Sequence, residues 1–177
     1  MRVIAGRYGG RHLQAPAGAA TRPTSDRVRE ALFSVLGARV EGARVLDLFA
    51  GSGALGLEAL SRGAERVTFV DSAPAALRVL RANLAALGAD AEVVRADAVR
   101  WLRAASGGER QYSLVFLDPP YRQAATLGAE LSDVLQAVLG PDALVISESD
   151  RRAPLELTMP TTDERRYGDT LIRFHGP

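Results

Sequence analysis

An aspartate, two prolines and a tyrosine, at residues 118–121, follow the apolar run 114–117. Such a run is typical of a buried strand, and open α/β sheets bind ligands where their strands end. Because proline fixes φ and lacks an N–H, the Pro119 carbonyl is available as an acceptor. Asp118 and this carbonyl can accept the two N–H bonds of an exocyclic amine, while Tyr121 stacks on the base that carries it. The tetrapeptide therefore favours chemistry on an amine over a simple turn.

A glycine turn lies upstream, after the strand predicted at 44–49. Gly51 and Gly53 let the backbone come close to a ligand and open a helix N-terminus towards it. Asp71 lies twenty residues after Gly51 and ends a second apolar run. A carboxylate there can bind both hydroxyls of a ribose. We expect these residues, together with Ser72, to hold a nucleoside cofactor.

The glycines at 51, 53 and 56 also match the dinucleotide fingerprint, so a nicotinamide-dependent oxidoreductase is one interpretation. Asp47 argues against it, because a carboxylate four residues before Gly51 would repel a pyrophosphate. S-adenosylmethionine has no phosphate, and its ammonium and sulfonium groups would be attracted to that carboxylate. Asp47 therefore favours a methyl donor.

In this chain order, the motifs resemble those of Rossmann-like methyltransferases that use S-adenosylmethionine and modify exocyclic amines. The sequence is most similar to the RsmD-type enzymes, which methylate the exocyclic N2 amine of a guanine in small-subunit (16S) ribosomal RNA. Three further segments carry this resemblance, and they span nearly the whole chain: Arg-Val-Ile-Ala-Gly at 2–6, Arg-Pro-Thr-Ser-Asp-Arg-Val-Arg-Glu at 22–30 and Tyr-Gly-Asp-Thr at 167–170.

The resemblance implies an α/β fold with a mostly parallel seven-stranded sheet, helices on both faces and a short N-terminal β-hairpin. It implies S-adenosylmethionine as cofactor and catalytic roles for Asp118, Pro119 and Tyr121. It also places Asp97 beside the adenine amine of the cofactor, with Ala98 offering a backbone N–H. Asp97 could instead be an ordinary helix N-cap, and the two roles are compatible.

Composition indicates a compact enzyme. The 177 residues suit one domain, and the lack of cysteine excludes disulfides and thiolate chemistry. No stretch free of Asp, Glu and Arg exceeds ten residues, which is too short to cross a bilayer, so we expect a cytoplasmic protein. His12 and His175 have no partners at catalytic or metal-ligand spacing. We expect no metal, no membrane and a monomer.

Positive charge is concentrated near the start of the chain. Residues 1–30 contain six arginines and two acids, a net charge of +4, whereas the rest of the chain has −3. We expect this basic end to bind ribosomal RNA or the assembling small subunit, although arginine-rich composition alone could produce it. We predict a basic hairpin extension and connector at 1–22 and a methyltransferase domain at 23–177. The candidate RNA-binding residues are Arg2, Arg7, Arg11, Arg22 and Arg27.

Alternating apolar patterns predict the elements that position these motifs. A helix at 27–36, capped by one of residues 24–26, has an apolar face that includes Val35 and a polar face that includes Arg29. Short strands at 3–5 and 12–14 form the hairpin. Further strands are expected at 44–49, 66–70, 91–95, 113–117, 143–147, 154–160 and 170–174, with helices at 53–62, 73–87, 98–105 and 123–139.

Three alternatives to guanine methylation remain open at the level of sequence. An adenine-N6 methyltransferase acting on DNA or RNA would share the tetrapeptide at 118–121, because adenine also has an exocyclic amine. A protein glutamine methyltransferase usually has Asn where Asp118 stands. A non-catalytic RNA-binding module could keep the fold, but the intact acids Asp47, Asp71 and Asp118 argue against loss of the site.

Overall fold

The structure is a computed structural model that describes residues 1–15, 25–106 and 111–176. Helices and strands alternate through most of the chain, as the pattern of the sequence predicts. The helices are α1 (Asp26–Leu36), α2 (Ala54–Ser61), α3 (Pro74–Leu87), α4 (Ala98–Ala105) and α5 (Tyr121–Leu135). The strands are β1 (Arg44–Leu48), β2 (Arg66–Asp71), β3 (Glu92–Arg95), β4 (Tyr112–Leu117), β5 (Leu139–Asp150), β6 (Thr161–Tyr167) and β7 (Thr170–His175).

The seven strands form one sheet in the order β3-β2-β1-β4-β5-β7-β6. Strands β1 to β5 are parallel to one another, and β7 is antiparallel to both β5 and β6. The strand order reverses between β1 and β4, and ligands of open α/β sheets bind at such a switch point. The carboxyl ends of the parallel strands, called here the carboxyl edge, therefore form the expected place for a site.

Helices cover both faces of the sheet, as predicted. One apolar core packs α1, α2 and α3 against one face and includes Phe33, Leu57 and Phe116. A second core packs α4 and α5 against the other face and includes Leu102 and Leu131. Because successive side chains of a strand point to opposite faces of the sheet, membership of one core or the other shows the face from which each strand side chain projects.

The N-terminal segment reverses direction as predicted, with an antiparallel bridge between Arg2 and His12 and backbone hydrogen bonds from Val3 to Arg11 and from Leu13 to Met1, but no regular strand. The segment is also fixed to α2. Glu58 accepts hydrogen bonds from the N–H groups of Ile4 and Ala5, at 2.7 and 3.1 Å. Because its apolar residues Val3, Tyr8 and Leu13 join the core on the α2 face, the segment packs against the main sheet. The boundary predicted near residue 22 lies outside the described residues.

Two predictions about α1 are wrong. Arg29, expected on the polar face, is fully buried and pairs with Asp26 and Glu58 at 3.0 and 3.8 Å. Val35, expected in the core, is 40% exposed. The buried side of α1 consists of Val28, Arg29, Leu32, Phe33 and Leu36, so it includes Arg29, which reaches the buried Glu58. Its N-cap is Ser25, whose hydroxyl accepts from the Val28 N–H.

The strand predicted at 154–160 is also wrong, because β6 is the polar segment Thr161–Tyr167. Leu155 and Met159 are buried beside α5 without strand pairing. The helix predicted at 123–139 begins at Tyr121 and ends at Leu135, with a 3₁₀ turn at Gln136–Val138, and β5 starts at Leu139. β6 is an edge strand, where charged side chains are favoured. Its Glu164 pairs with Arg166 and with Arg173 of β7.

His175 is buried and lies 2.9 Å from the Ser147 hydroxyl through Nε2, a contact between β7 and β5. Burial lowers the pKa of this imidazole. Among the described residues, no group of three or more His, Cys, Asp or Glu side chains is placed to hold a metal ion. The described helices are all too short or too polar to span a membrane.

Candidate active site

Asp47 lies within β1 and is almost completely buried. Its Oδ2 accepts a hydrogen bond of 2.9 Å from the Gly56 N–H in the first turn of α2. Burial raises the pKa of Asp47 to about 8, the bond from Gly56 opposes that rise, and the nearby Asp71 adds to it. The site thus contains a buried acid that is held in a state favouring protonation.

The turn between β1 and α2 is held in left-handed backbone conformations, with φ of 63° at Phe49, 57° at Gly51 and 81° at Gly53. Glycine adopts such values without strain, but a bulky residue such as Phe49 does not. A Cβ on Gly53 would lie 2.3 Å from Leu80 Cδ1, whereas one on Gly51 would face open space, with only Phe49 O at 3.9 Å. The turn therefore packs tightly on α3 and leaves an open surface at Gly51.

Asp71 ends β2 and stabilises this turn. Its Oδ2 accepts from the Gly51 N–H at 2.8 Å, and its Oδ1 accepts from the Ala73 N–H at 2.7 Å. Each carboxylate oxygen keeps further capacity to accept a hydrogen bond. The predicted neighbour Ser72 is exposed beside it. The structure thus brings Asp47, Gly51 and Asp71 together, as predicted.

Asp97 and Ala98 lie further along the same edge, where α4 follows β3. Asp97 is the N-cap of α4, and its Oδ1 accepts from the Arg100 N–H at 3.0 Å, which confirms the capping role. Asp97 is exposed and Ala98 is buried. Their role toward a cofactor stays a prediction.

Asp118 directly follows β4, and Pro119 is buried beside it. Burial raises the pKa of Asp118 well above its usual range, and the carboxylates of Glu148 and Asp47 raise it further. Tyr121 is the first residue of α5, and its side chain lies outside the described part of the structure. The strand therefore presents a carboxyl, a proline carbonyl and a helix start in the order that the sequence predicts.

Four acids share one face of the sheet at this edge. In β1, β2, β4 and β5, Val45, Phe69, Phe116 and Ile146 belong to the core that contacts α1 to α3. The residue two positions later points to the same face. These residues are Asp47, Asp71, Asp118 and Glu148, called here the acid row. Glu148 is not among the site residues predicted from the sequence, although it follows the apolar residues 143–146 after a single serine, much as Asp118 directly follows 114–117.

Within the described residues, no arginine or histidine forms an ion pair with Asp47, Asp71 or Asp118. These three acids therefore suit a cationic ligand, because a positive charge would compensate them. S-adenosylmethionine fits this arrangement. It is a cation without phosphate, and the open backbone at Gly51 lies between the two acids of β1 and β2.

Four of the five predicted RNA-binding arginines lie on the N-terminal segment and on α1. Arg2 and Arg11 are exposed on the N-terminal segment, where Arg2 lies 3.8 Å from Asp26 and Arg11 donates to the carbonyl of Ala86 in α3. Arg7 is exposed, with its guanidinium 5.3 Å from the centre of the Tyr8 ring. Arg27 is exposed on α1. Arg22 lies outside the described residues.

The strand order and the acids at the carboxyl edge define a Rossmann-like methyltransferase fold. The model of a family described as Conserved hypothetical protein 95 matches residues 1–176. The ribosomal RNA small subunit methyltransferase D of Escherichia coli (strain K12) is 42% identical over 153 residues, which cover 85% of this chain and 75% of that protein. The chain belongs to this family of RsmD-type methyltransferases.

Two further similarities cover most or all of the chain. The protein of the same name from Haemophilus influenzae is 37% identical over 163 residues, covering 88% of this chain and 81% of that protein. The solved structure of a hypothetical protein from Thermus thermophilus has a TM-score of 0.86 and 31% identity, and covers 100% of this chain and 99% of that chain.

Proposed function

We propose that this protein transfers a methyl group from S-adenosylmethionine to the exocyclic N2 amine of a guanine in small-subunit ribosomal RNA. The observation that carries the proposal is the position of Asp118. It lies on the face that also holds Asp47, next to a proline carbonyl, at the end of a central strand. The names of the relatives in Escherichia coli and Haemophilus influenzae support ribosomal RNA as the substrate class.

S-adenosylmethionine is the cofactor, and when bound it supplies a methyl group made electrophilic by the sulfonium. Asp71 would accept hydrogen bonds from the ribose hydroxyls, because both of its oxygens retain acceptor capacity. Asp47 would face the positive charge, and Gly51 and Gly53 would let the backbone approach. Ser72, Asp97 and Ala98 would complete the nucleoside side of the site.

The exocyclic amine of guanine is a poor nucleophile, because its lone pair is delocalised into the ring. Asp118 and the Pro119 carbonyl would accept its two N–H bonds and draw the nitrogen towards tetrahedral geometry. As the N–C bond formed, the bond between the sulfonium sulfur and the methyl carbon would break, and S-adenosylhomocysteine would leave as a neutral thioether. The methylated nitrogen would be strongly acidic, and Asp118 or water would take one proton from it. Positioning and electrostatics then supply the rate without a covalent enzyme intermediate. Tyr121 would stack on the flipped base, a role for the ring that Phe would conserve.

Mass spectrometry of ribosomal RNA nucleosides tests this function directly. Cells that lack the protein should lose one N2-methylguanosine from small-subunit RNA, and the wild-type gene should restore it. A gene carrying Asp118→Ala should not restore it, although the variant protein accumulates. Loss of a methyladenosine, or of a modification in another RNA, would contradict the proposal.

Purified protein with radiolabelled S-adenosylmethionine separates the alternatives. Stripped small-subunit RNA, assembled subunits and duplex DNA should be compared at equal concentration. We expect label in one of the two ribosomal substrates and none in DNA. Binding of RNA without transfer to any substrate would identify a non-catalytic module instead.

A further inference from the structure

Glu148 lies beside Asp118 on the neighbouring strand. β4 and β5 are parallel, and their last paired residues toward this edge are Leu117 and Ser147. Asp118 and Glu148 are the residues that follow them. The preceding pair on this face, Phe116 and Ile146, are also opposite each other and share one core. The two acids therefore project from the same face at the same level, about 4.8 Å apart between strands.

The position of Glu148 is rigid. It lies inside β5, is only 4% exposed, and its backbone is opposite Ile172 of the antiparallel strand β7. Its charge reaches Asp118, whose pKa it helps to raise. Rigid strands are the elements that best hold a group that must meet a ligand accurately.

The edges of the purines differ at the atom next to the reacting amine. Guanine carries a hydrogen on N1, beside the exocyclic N2 amine, so it presents adjacent N–H donors. Adenine has a lone pair on N1. An acceptor-only carboxylate next to Asp118 would therefore bind guanine and repel adenine.

We propose that Glu148 is the residue that selects guanine, by accepting the N1 hydrogen while Asp118 and the Pro119 carbonyl hold the N2 amine. This inference rests on the proposed function. It assigns the base specificity to β5, one strand away from the tetrapeptide that performs the chemistry.

The base 2-aminopurine provides the test, because it keeps the 2-amino group but has a lone pair on N1. The target guanosine, once mapped, is replaced by 2-aminopurine through splinted ligation, and the RNA is assembled into small subunits. For the wild-type protein, kcat/KM should fall by about 10²-fold on this replacement, since a charged acceptor meets a lone pair. In Glu148→Gln the side chain loses the charge that favours the N1 hydrogen of guanine, so guanine should react at least about tenfold more slowly. The new amide can donate to the N1 lone pair of 2-aminopurine, so the preference for guanine should shrink below about tenfold.

Asp150→Asn is the matched control. Asp150 lies two positions further on the same strand, and its Oδ1 accepts from the Arg152 N–H. This variant should keep the wild-type preference. An unchanged preference in Glu148→Gln would overturn the inference and leave Glu148 a structural role. So would equal wild-type rates on guanine and 2-aminopurine, a result that needs no variant to fold. If the wild-type protein methylates no guanine in stripped small-subunit RNA or in assembled subunits, the proposed function fails instead.

Discussion

Carboxylates are buried in two regions of this protein, one beneath the N-terminal segment and one in the acid row. Under the N-terminal segment, Glu58 is fully buried and lies 2.7 Å from Arg62 and 3.8 Å from the buried Arg29. In the acid row, Asp47 accepts one backbone N–H, and burial raises its pKa to about 8. Both regions remove acids from water, but within the described residues Glu58 is paired with cations of the chain itself and Asp47 is not.

The contrast indicates what each region is for. Under the N-terminal segment, Glu58 also accepts hydrogen bonds from the N–H groups of Ile4 and Ala5, so this carboxylate is paired with cations and backbone donors of the fold itself. In the acid row, the folded chain keeps Asp47 and Asp118 in a state that favours protonation. Such an arrangement costs stability unless a ligand compensates it, which is typical of functional sites.

The largest expected effect is on stability, from Glu58→Ala. Removing this carboxylate leaves the Arg29 charge buried without it, and it orphans two backbone N–H groups. We expect the free energy of unfolding to fall by about 3–5 kcal/mol in denaturant titrations. Glu65→Ala is the control, because Glu65 is half exposed and pairs with Arg44 and Arg66 at the surface. It should cost less than about 1 kcal/mol, and equal losses would remove the distinction between the two regions.

Asp118→Ala should act on catalysis and not on stability. Turnover should fall by roughly 10²–10³, the loss typical when one preorganised electrostatic partner is removed. The free energy of unfolding should stay the same or rise, because a partly buried acid with a raised pKa is removed. Asp133→Ala, at an exposed position of α5, is the control for both measurements. If Asp118→Ala destabilised the fold as Glu58→Ala does, the acid row would be structural.

Asp71→Ala should weaken the binding of S-adenosylmethionine by tenfold or more. Each charge-assisted hydrogen bond to a ribose hydroxyl contributes about 1.5–3 kcal/mol, and the loop at Gly51 also loses its anchor. Titration calorimetry measures the change, with the exposed Asp90→Ala as control. Unchanged affinity would show that the ribose is bound elsewhere.

The raised pKa of Asp47 predicts a pH dependence with opposite signs for stability and binding. Its pKa is near 3.8 unfolded and about 8 folded, so its contribution to stability is complete below pH 3.8 and is lost as pH rises towards 8. A cationic cofactor binds the ionised form better, so affinity should rise a few-fold between pH 6.5 and pH 8.5 while binding releases protons.

Asp47→Asn sharpens this test. Without cofactor, the stability of the variant should fall much less than that of the wild type between pH 5 and pH 8, as measured by thermal unfolding. Calorimetry in two buffers of different ionisation enthalpy should detect fewer protons released on binding. Identical profiles for wild type and variant would assign the pH dependence to other groups.

The smallest expected effect is on the salt dependence of RNA binding. Arg29 of α1 is buried, whereas Arg27 of the same helix and Arg7 of the N-terminal segment are exposed. If the exposed pair contacts phosphates, Arg7→Ala/Arg27→Ala should flatten the dependence of log K on log salt by about 0.7–0.9 per contact. The control is Arg151→Ala/Arg152→Ala, whose side chains pair with Asp169 at 3.4 and 3.3 Å. Equal slopes would place the RNA-binding surface elsewhere.

The sequence predicts the parallel part of the sheet well, because each strand is a local apolar run that ends at a turn. Asp47, Asp71 and Asp118 could be placed at one edge for the same reason. The cap at Asp97 depends only on its own helix, and it is confirmed. Local signals are sufficient for these features.

The predictions are wrong or incomplete where contacts with residues distant in the sequence determine the structure. Arg29 is buried because Glu58, far along the chain, needs a cation, and no pattern within α1 indicates this. The apolar alternation at 154–160 resembles a strand, but Leu155 packs under α5, where Gly128 leaves room for the backbone of Glu156. Glu148 was missed because its neighbour Asp118 is adjacent only across strands.

The acid row also has a consequence for folding. Its members come from four different strands, and Asp47 and Glu148 are separated by about a hundred residues of chain. Pairings between such distant segments form late and slowly compared with local ones. The site therefore exists only when β2, β1, β4 and β5 are all in register, and a partly folded chain has no weaker version of it. Recovery of cofactor binding during refolding should coincide with assembly of these four neighbouring strands, so binding reports that this part of the sheet is complete.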